Sequence, residues 1–258
     1  MSGEPLAAIA GGLVVSVQAR AGTPLAAPRH MAALAAAAEL GGAVGIRAEG
    51  TADVAAIRRA VRLPVIGLRK RRIEGSDVYI TPEAADALAI AAAGADAVAV
   101  DATARARPGG IDASRFVAEL AQALDVPVIA DVDTVAAGVE ARAAGALGVA
   151  TTLAGYTAAT ASGAIRGGVG AAAPGEPDVD LVARLAAQLD CPVLAEGRYA
   201  TPEQVAAAFE AGAHAVVVGT AIGDPIALTR AFAAAAPARG RAMAGADAPP
   251  STGSGDGR

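Results

Sequence analysis

Eight short apolar runs, most of them ending on a polar residue and followed by an alanine-rich stretch of helical periodicity, constrain this 258-residue chain more than any other feature. They span residues 13–18, 43–47, 64–70, 97–101, 127–131, 147–151, 192–196 and 215–219. Stretches such as Asp133 to Ala144 and Thr201 to Ala211 supply about three helical turns each between them. Strands alternating with helices imply parallel βαβ units, and eight such units can close on themselves. The sequence therefore predicts an α/β fold, a single-domain (β/α)8 TIM barrel, over residues 1–236. A doubly wound open sheet is the competing architecture, but the Gly-rich dinucleotide turn expected of it is missing after the first run.

The punctuation agrees with that register. Pro64, Pro127 and Pro192 open three of the runs, where no ladder donor is needed. Gly94, Gly145 and Gly212 stop helices just ahead of three others. Thr81-Pro82-Glu83 and Thr201-Pro202-Glu203 read as N-caps followed by proline at the first helical position. Residues 156–177 form a long Gly/Ala/Ser/Pro loop, of a length usually reserved for lids or insertions. Residues 237–258 lack periodicity and read as a disordered tail.

Composition narrows the function classes. A net charge of −5 gives no reason to expect nucleic acid or an anionic membrane as partner. No apolar run approaches the roughly 18 to 20 residues of a membrane span, and Glu4 stands where a signal peptide would be basic. Cys191 is the only cysteine, which excludes an internal disulfide framework and fits a reducing cytosol. With His30 and His214 as the only histidines, no metal site is expected. No Gly-x-Ser-x-Gly elbow occurs. A soluble, cytoplasmic protein is expected.

Among 21 basic residues only Lys70 is a lysine. In a sequence so rich in Arg, Ala and Gly, a surviving lysine is suspected of needing to lose a proton, which arginine cannot do. Barrel sites lie at the C-terminal ends of the strands. Gln18, Arg47, Lys70, Asp101, Asp131 and Glu196 each close a different run, which describes a rim site for a polar substrate. Singly, each such charge marks only where a strand leaves the core. Alternation puts Lys70 on one face with Ile66 and Leu68, and Glu196 with Leu194; Arg69 and Arg71 point the other way as solvated cations. Gly197, Arg198, Gly219 and Thr220 follow the last two runs, the usual phosphate position in barrels. A rim lysine serves either as a Schiff-base nucleophile or as a base beside a carbonyl, and charge types alone leave both open.

Several stretches resemble the N-acetylmannosamine-6-phosphate 2-epimerase family, the NanE family. They are Gly12-Leu13-Val14-Val15-Ser16-Val17-Gln18, Ile46-Arg47-Ala48-Glu49-Gly50, Ile66-Gly67-Leu68-Arg69-Lys70-Arg71 and Ile80-Thr81-Pro82. Further along come Asp101-Ala102-Thr103-Ala104-Arg105-Ala106-Arg107-Pro108, Thr151-Thr152-Leu153-Ala154-Gly155-Tyr156-Thr157 and Ala195-Glu196-Gly197-Arg198-Tyr199. The resemblance implies an isomerase interconverting N-acetylmannosamine 6-phosphate and N-acetylglucosamine 6-phosphate with no cofactor. It implies Lys70 as the group exchanging the C2 proton and Glu196 as the carboxylate acting on ring opening and the C1 oxygen. Asp131 is the supporting carboxylate, and Gln18, Arg47, Asp101, Thr103 and Arg105 fall at substrate positions. A homodimer is also suggested.

The chain departs from the family pattern in places. Ala221-Ile222-Gly223-Asp224-Pro225 stands where Ala-Ile-Thr-Arg-Pro is usual, putting an acid in place of an arginine. Val17 replaces a common cysteine, Arg71-Arg72 a common Arg-Asp, and the 156–177 loop is longer than usual. Two other functions remain open from the residues: a class I aldolase using Lys70, and a sugar-phosphate-binding barrel without catalysis.

Overall fold

Residues 3–161 and 175–236 are described by the structure, a computed structural model. Their strands are β1 Leu13–Val17, β2 Gly45–Glu49, β3 Val65–Leu68, β4 Ala97–Asp101, β5 Val128–Asp131, β6 Gly148–Ala150, β7 Val193–Glu196 and β8 Ala215–Val218. Each pairs in parallel with the next, and β8 pairs with β1 to close the expected barrel. Pro64, Pro127 and Pro192 lie one residue ahead of their strands. There their carbonyls accept from Ile46, Val98 and Val149 of the neighbouring strands, so a residue with no N–H still joins the ladder. The inner part of the 156–177 loop and the tail 237–258 fall outside the described residues.

Alternation separates two cores. Ile46, Ala48, Val98, Val100, Val128, Ala130, Val149 and Val216 face outward against the helices. Val14, Ile66, Leu68, Ala97, Ala99, Ile129, Ala150, Leu194, Ala215 and Val217 fill the barrel itself. The bottom of the barrel is closed by an element the apolar pattern did not predict, the helix Glu4–Ala8. Its Leu6 and the following Ile9 join the interior cluster, and a His214 ring nitrogen meets the Leu6 carbonyl at 2.7 Å. Glycine on two even strands makes room for them: a Cβ on Gly45 would lie 2.8 Å from Ile9 Cγ2, and one on Gly148 3.4 Å from Leu6 Cδ1.

Three local expectations are corrected. Strand β2 runs two residues further than expected, so Arg47 sits mid-strand and Glu49 ends it; a two-residue shift preserves the face. Strand β3 ends at Leu68, and Lys70 lies beyond it in an antiparallel bridge with Ile80. Thr81 does not cap a helix. Its φ is +45°, its hydroxyl donates to the Ala99 carbonyl at 2.6 Å and accepts from Arg69 N at 3.1 Å, and Glu83 with Asp86 forms the capping box of Ala84–Ala92 instead. Thr201 does cap Pro202–Glu210, with Gln204 completing its box, and Gly94, Gly145 and Gly212 all adopt positive φ at helix stops.

Candidate active site

The packed barrel core turns polar toward its C-terminal end. Arg47, from β2, is 1% exposed and points up beneath the ends of β5 and β7. Its Nη2 donates to Asp131 Oδ2 at 2.6 Å, while its Nε lies 3.3 Å from Glu196 Oε2 without hydrogen-bond geometry. Nη1 is buried and has no hydrogen-bond partner among the described residues. Burial pulls the guanidinium pKa down, and the carboxylates of Asp131 and Glu196 more than reverse that, so Arg47 stays charged.

The two residues after β6 tie Glu196 in place. Thr151 accepts from Glu196 N at 3.0 Å and donates to the Glu196 carbonyl at 2.9 Å. Thr152 Oγ1 lies 2.8 Å from Asp131 Oδ1 and 3.0 Å from Glu196 Oε2, bridging the two carboxyl groups. Thr152 is not legible as a site residue from sequence, since a threonine after a strand carries no chemical signal by itself. Burial pushes the Glu196 carboxyl above its ordinary range; Asp131 adds to this and Arg47 opposes it.

Lys70 stands at the open mouth, continuing the face of Ile66 and Leu68, and its backbone N–H donates to Glu49 Oε1 at 3.0 Å. Crowding by the rim lowers its amine pKa first, and the Arg47 charge lowers it further, against Glu196, Glu49 and Asp131. Its surface reaches solvent, so screening limits the size of that shift and not its direction. Arg69 Nη1 lies 3.8 Å from Glu49 Oε1, and Arg71 pairs with Glu83 at 2.5 Å and Asp86 at 2.8 Å.

Beside this cluster, Asp101 is fully buried and accepts from Thr103 N at 3.0 Å and Thr103 Oγ1 at 2.7 Å, with Arg105 as its ion-pair partner. Thr103 and Arg105 are thus bound to Asp101. Arg107 is also buried: it stacks 3.8 Å from the Phe116 ring centroid and donates to the Pro82 and Asp101 carbonyls. Tyr79 lies 5.7 Å from both Arg72 and Arg105, and burial pushes its hydroxyl up to about 12.

On the other side Gln18, one residue past β1, donates to Ser16 Oγ at 2.8 Å, and its Oε1 is buried without a partner among the described residues. Gly219 precedes the short helix Thr220–Gly223, whose first N–H groups have no intrahelical acceptor. Gly197 has φ +111° and Arg198 φ +64°. The Arg198 guanidinium donates to the Glu176 carbonyl at 2.7 Å and the Ala154 carbonyl at 2.8 Å, pinning both ends of the loop after β6. Asp224 accepts from Ala227 N at 2.9 Å, so the acid at the unusual position serves as the N-cap of Pro225–Ala235. Among the described residues, no three His, Cys, Asp or Glu side chains gather to hold a metal, and no helix is long and apolar enough to cross a membrane.

A closed parallel barrel with a lysine and a carboxyl pair over a buried arginine, all at its C-terminal mouth, carries groups of the kind that acid–base chemistry uses. The particular lineage is equally plain. The family model described as "Putative N-acetylmannosamine-6-phosphate epimerase" matches residues 31–238, and the chain belongs to this family. A relative from Caldanaerobacter subterraneus subsp. tengcongensis is 45% identical over 86% of this chain and 89% of its own. One from Cutibacterium acnes is 45% identical over 88% and 94%. Both carry the name "Putative N-acetylmannosamine-6-phosphate 2-epimerase". The solved N-acetylmannosamine-6-phosphate 2-epimerase from Clostridium perfringens superposes with a TM-score of 0.81 at 34% identity, covering 90% of this chain and 96% of that one.

Proposed function

We propose that this protein is an isomerase that interconverts N-acetylmannosamine 6-phosphate and N-acetylglucosamine 6-phosphate at C2. The observation that carries the reading is the opposed displacement of two groups at one mouth. Lys70 is pushed toward its neutral amine and Glu196 toward its neutral acid. A neutral amine can take a proton from carbon, and a neutral carboxyl can give one to oxygen.

In this reading Glu196 gives its proton to the ring oxygen as the C1–O bond breaks and takes the anomeric hydroxyl proton on its other oxygen, exposing the C1 aldehyde. The Lys70 amine takes the C2 proton, the C–H electron pair moves into the C1 carbonyl, and an enolate-type intermediate forms. Arg47 Nη1, buried and without a hydrogen-bond partner, supports the developing oxyanion. The Lys70 ammonium returns a proton to the opposite face once the intermediate has turned, which inverts C2 and restores the amine. The sequence is redox neutral, so its atoms and electrons balance without a cofactor. Asp131 holds Arg47; Asp101, with Thr103 and Arg105, lines the sugar side, and Gln18 Oε1 accepts from substrate. Gly197, Gly219 and Thr220 offer backbone N–H groups to the phosphate, with Arg198 stiffening the adjoining loop.

The same proposal places the enzyme in the cytoplasm, working on a small phosphorylated amino sugar and not on nucleic acid. It works as a homodimer: Pro225–Ala235 buries none of its residues and Phe232 is 77% exposed, an apolar surface that a second copy covers. The test is NMR of N-acetylmannosamine 6-phosphate in D₂O with the purified protein. Deuterium at C2 together with the gluco epimer is the expected result; no exchange and no epimer overturns the assignment.

A further inference from the structure

Thr152 Oγ1 touches two carboxyl groups with one proton to give. A hydroxyl can donate a single hydrogen bond, yet Asp131 Oδ1 at 2.8 Å and Glu196 Oε2 at 3.0 Å are both within reach. If both acids were ionised, one of the two contacts would set an oxygen lone pair against a carboxylate oxygen. If one acid keeps its proton, both contacts become hydrogen bonds, one donated by Thr152 and one accepted by it.

The surroundings decide which acid. Arg47 gives Nη2 to Asp131 at 2.6 Å, a charge-assisted bond that wants a carboxylate there. Toward Glu196 the same guanidinium offers only Nε at 3.3 Å, and that contact lacks hydrogen-bond geometry. The charged and titratable groups around the pair come from several elements: Arg47 and Glu49 of β2, Lys70 after β3, Tyr79 in the following loop, and Asp131 of β5. Among the described residues Arg47 is the one cation bonded to the pair, and it is bonded to Asp131.

We propose that Thr152 is a proton-ordering bridge, donating to the Asp131 carboxylate and accepting from the Glu196 carboxyl, so that the pair holds one proton and the resting enzyme keeps it on Glu196. Thr152 is then a positioning residue that acts through Glu196. When Glu196 gives its proton to a substrate oxygen, the Thr152 hydroxyl turns and donates to the new carboxylate, leaving Asp131 with Arg47. One rotation serves both charge states. Burial and the Asp131 charge push the Glu196 carboxyl up, against Arg47 and against a Thr152 hydrogen bond donated to the ionised form. The mechanistic use rests on the proposed epimerase reading; the proton count does not.

The experiment separates these. The infrared carbonyl band of a protonated carboxyl is followed against pH in substrate-free wild type, Glu196→Gln, Thr152→Val and Thr152→Ser. Wild type shows the band at neutral pH, and Glu196→Gln lacks it. In Thr152→Val its midpoint moves to lower pH, because the acceptor for the Glu196 proton is gone; Thr152→Ser restores it. Absence of the band in wild type, or a midpoint in Thr152→Val that stays or moves upward, overturns the bridge. C2 exchange is measured in parallel, with a fall of about 100-fold in kcat/KM for Thr152→Val and recovery to within about threefold for Thr152→Ser. A wild type with the expected band and no turnover sinks the epimerase reading and leaves the bridge standing.

Discussion

Arg47 Nη2 and Asp131 Oδ2 lie 2.6 Å apart with neither side chain reaching solvent, which makes this pair the boundary between the packed barrel and the reactive mouth. Removing one member leaves the other charge buried and uncompensated. Arg47→Met is expected to cost about 3–5 kcal/mol of stability by denaturant unfolding. Arg47→Met with Asp131→Asn recovers much of that loss and none of the turnover. Equal stability for the single and double variants would show that the pair is not coupled.

Lys70 is exposed, so its replacement tests chemistry more than packing. Lys70→Ala keeps the unfolding midpoint and loses C2 deuterium exchange by about 10³-fold. Lys70→Arg keeps the charge and is equally inactive, because a guanidinium does not give up its proton at the working pH. Borohydride with substrate leaves no mass adduct on the wild type; an adduct at Lys70 moves the reaction to the aldolase class.

The pH dependence follows from the directions of two shifts. In the proposed mechanism Lys70 acts as the neutral amine and Glu196 as the neutral acid, so kcat/KM is expected to rise and then fall with pH, with limbs that belong to the pair. In Glu196→Gln the residual exchange keeps the rising limb and loses the falling one. A falling limb that survives in this variant assigns the acid elsewhere. For stability the sign is separate. The raised Glu196 carboxyl favours the folded state at low pH, and that contribution is lost as pH rises through its folded value.

Asp53, in the first turn of Thr51–Ala60, is pushed up to about 6 by partial burial and by Glu49. Its charge therefore opposes folding once pH rises from its ordinary value through about 6. Since the side chain is partly solvated, Asp53→Asn gains only about 1 kcal/mol at pH near 8. No gain is expected near pH 4, where the folded protein already binds the proton. Thermal melts at the two pH values decide it, and equal gains at both remove the electrostatic explanation.

Gly67 lies in β3 with its hydrogen toward the helix Ala84–Ala92. A Cβ there would stand 2.4 Å from Ile90 Cγ2 and 2.8 Å from Ala95 Cβ. Gly67→Ala must move that helix, at a cost of about 1–3 kcal/mol, and the strand leads directly to Lys70. Lower stability accompanied by a lower C2 exchange rate is the expected pair of results. Retention of both would mean that the helix shifts freely.

Much of the barrel was legible because its signals are local. Proline ahead of β3, β5 and β7, and glycine at the helix stops before β4, β6 and β8, act within a residue or two of where they stand. The errors fell where a distant contact decides. Thr81-Pro82-Glu83 resembles Thr201-Pro202-Glu203, yet only the second caps with its threonine. The Ala99 carbonyl, 18 residues away, accepts from the Thr81 hydroxyl at 2.6 Å and draws it away from the helix. Arg47 reads as a rim cation because its strand was placed two residues early, and its burial depends on Asp131 being 84 residues further on.

By itself the sequence determined the eight-fold strand and helix order, the face on which Lys70 and Glu196 stand, and the family. These follow from periodicity, turn chemistry and motif order, all written in short stretches of chain. Only the tertiary structure decided how the charges are shared. It bound Thr103 and Arg105 to Asp101, gave Arg198 to the loop after β6, made Asp224 a helix cap, and set Thr152 between two carboxyl groups. Protonation depends on distance, burial and the neighbours of every atom in the site, and those are properties of the closed barrel.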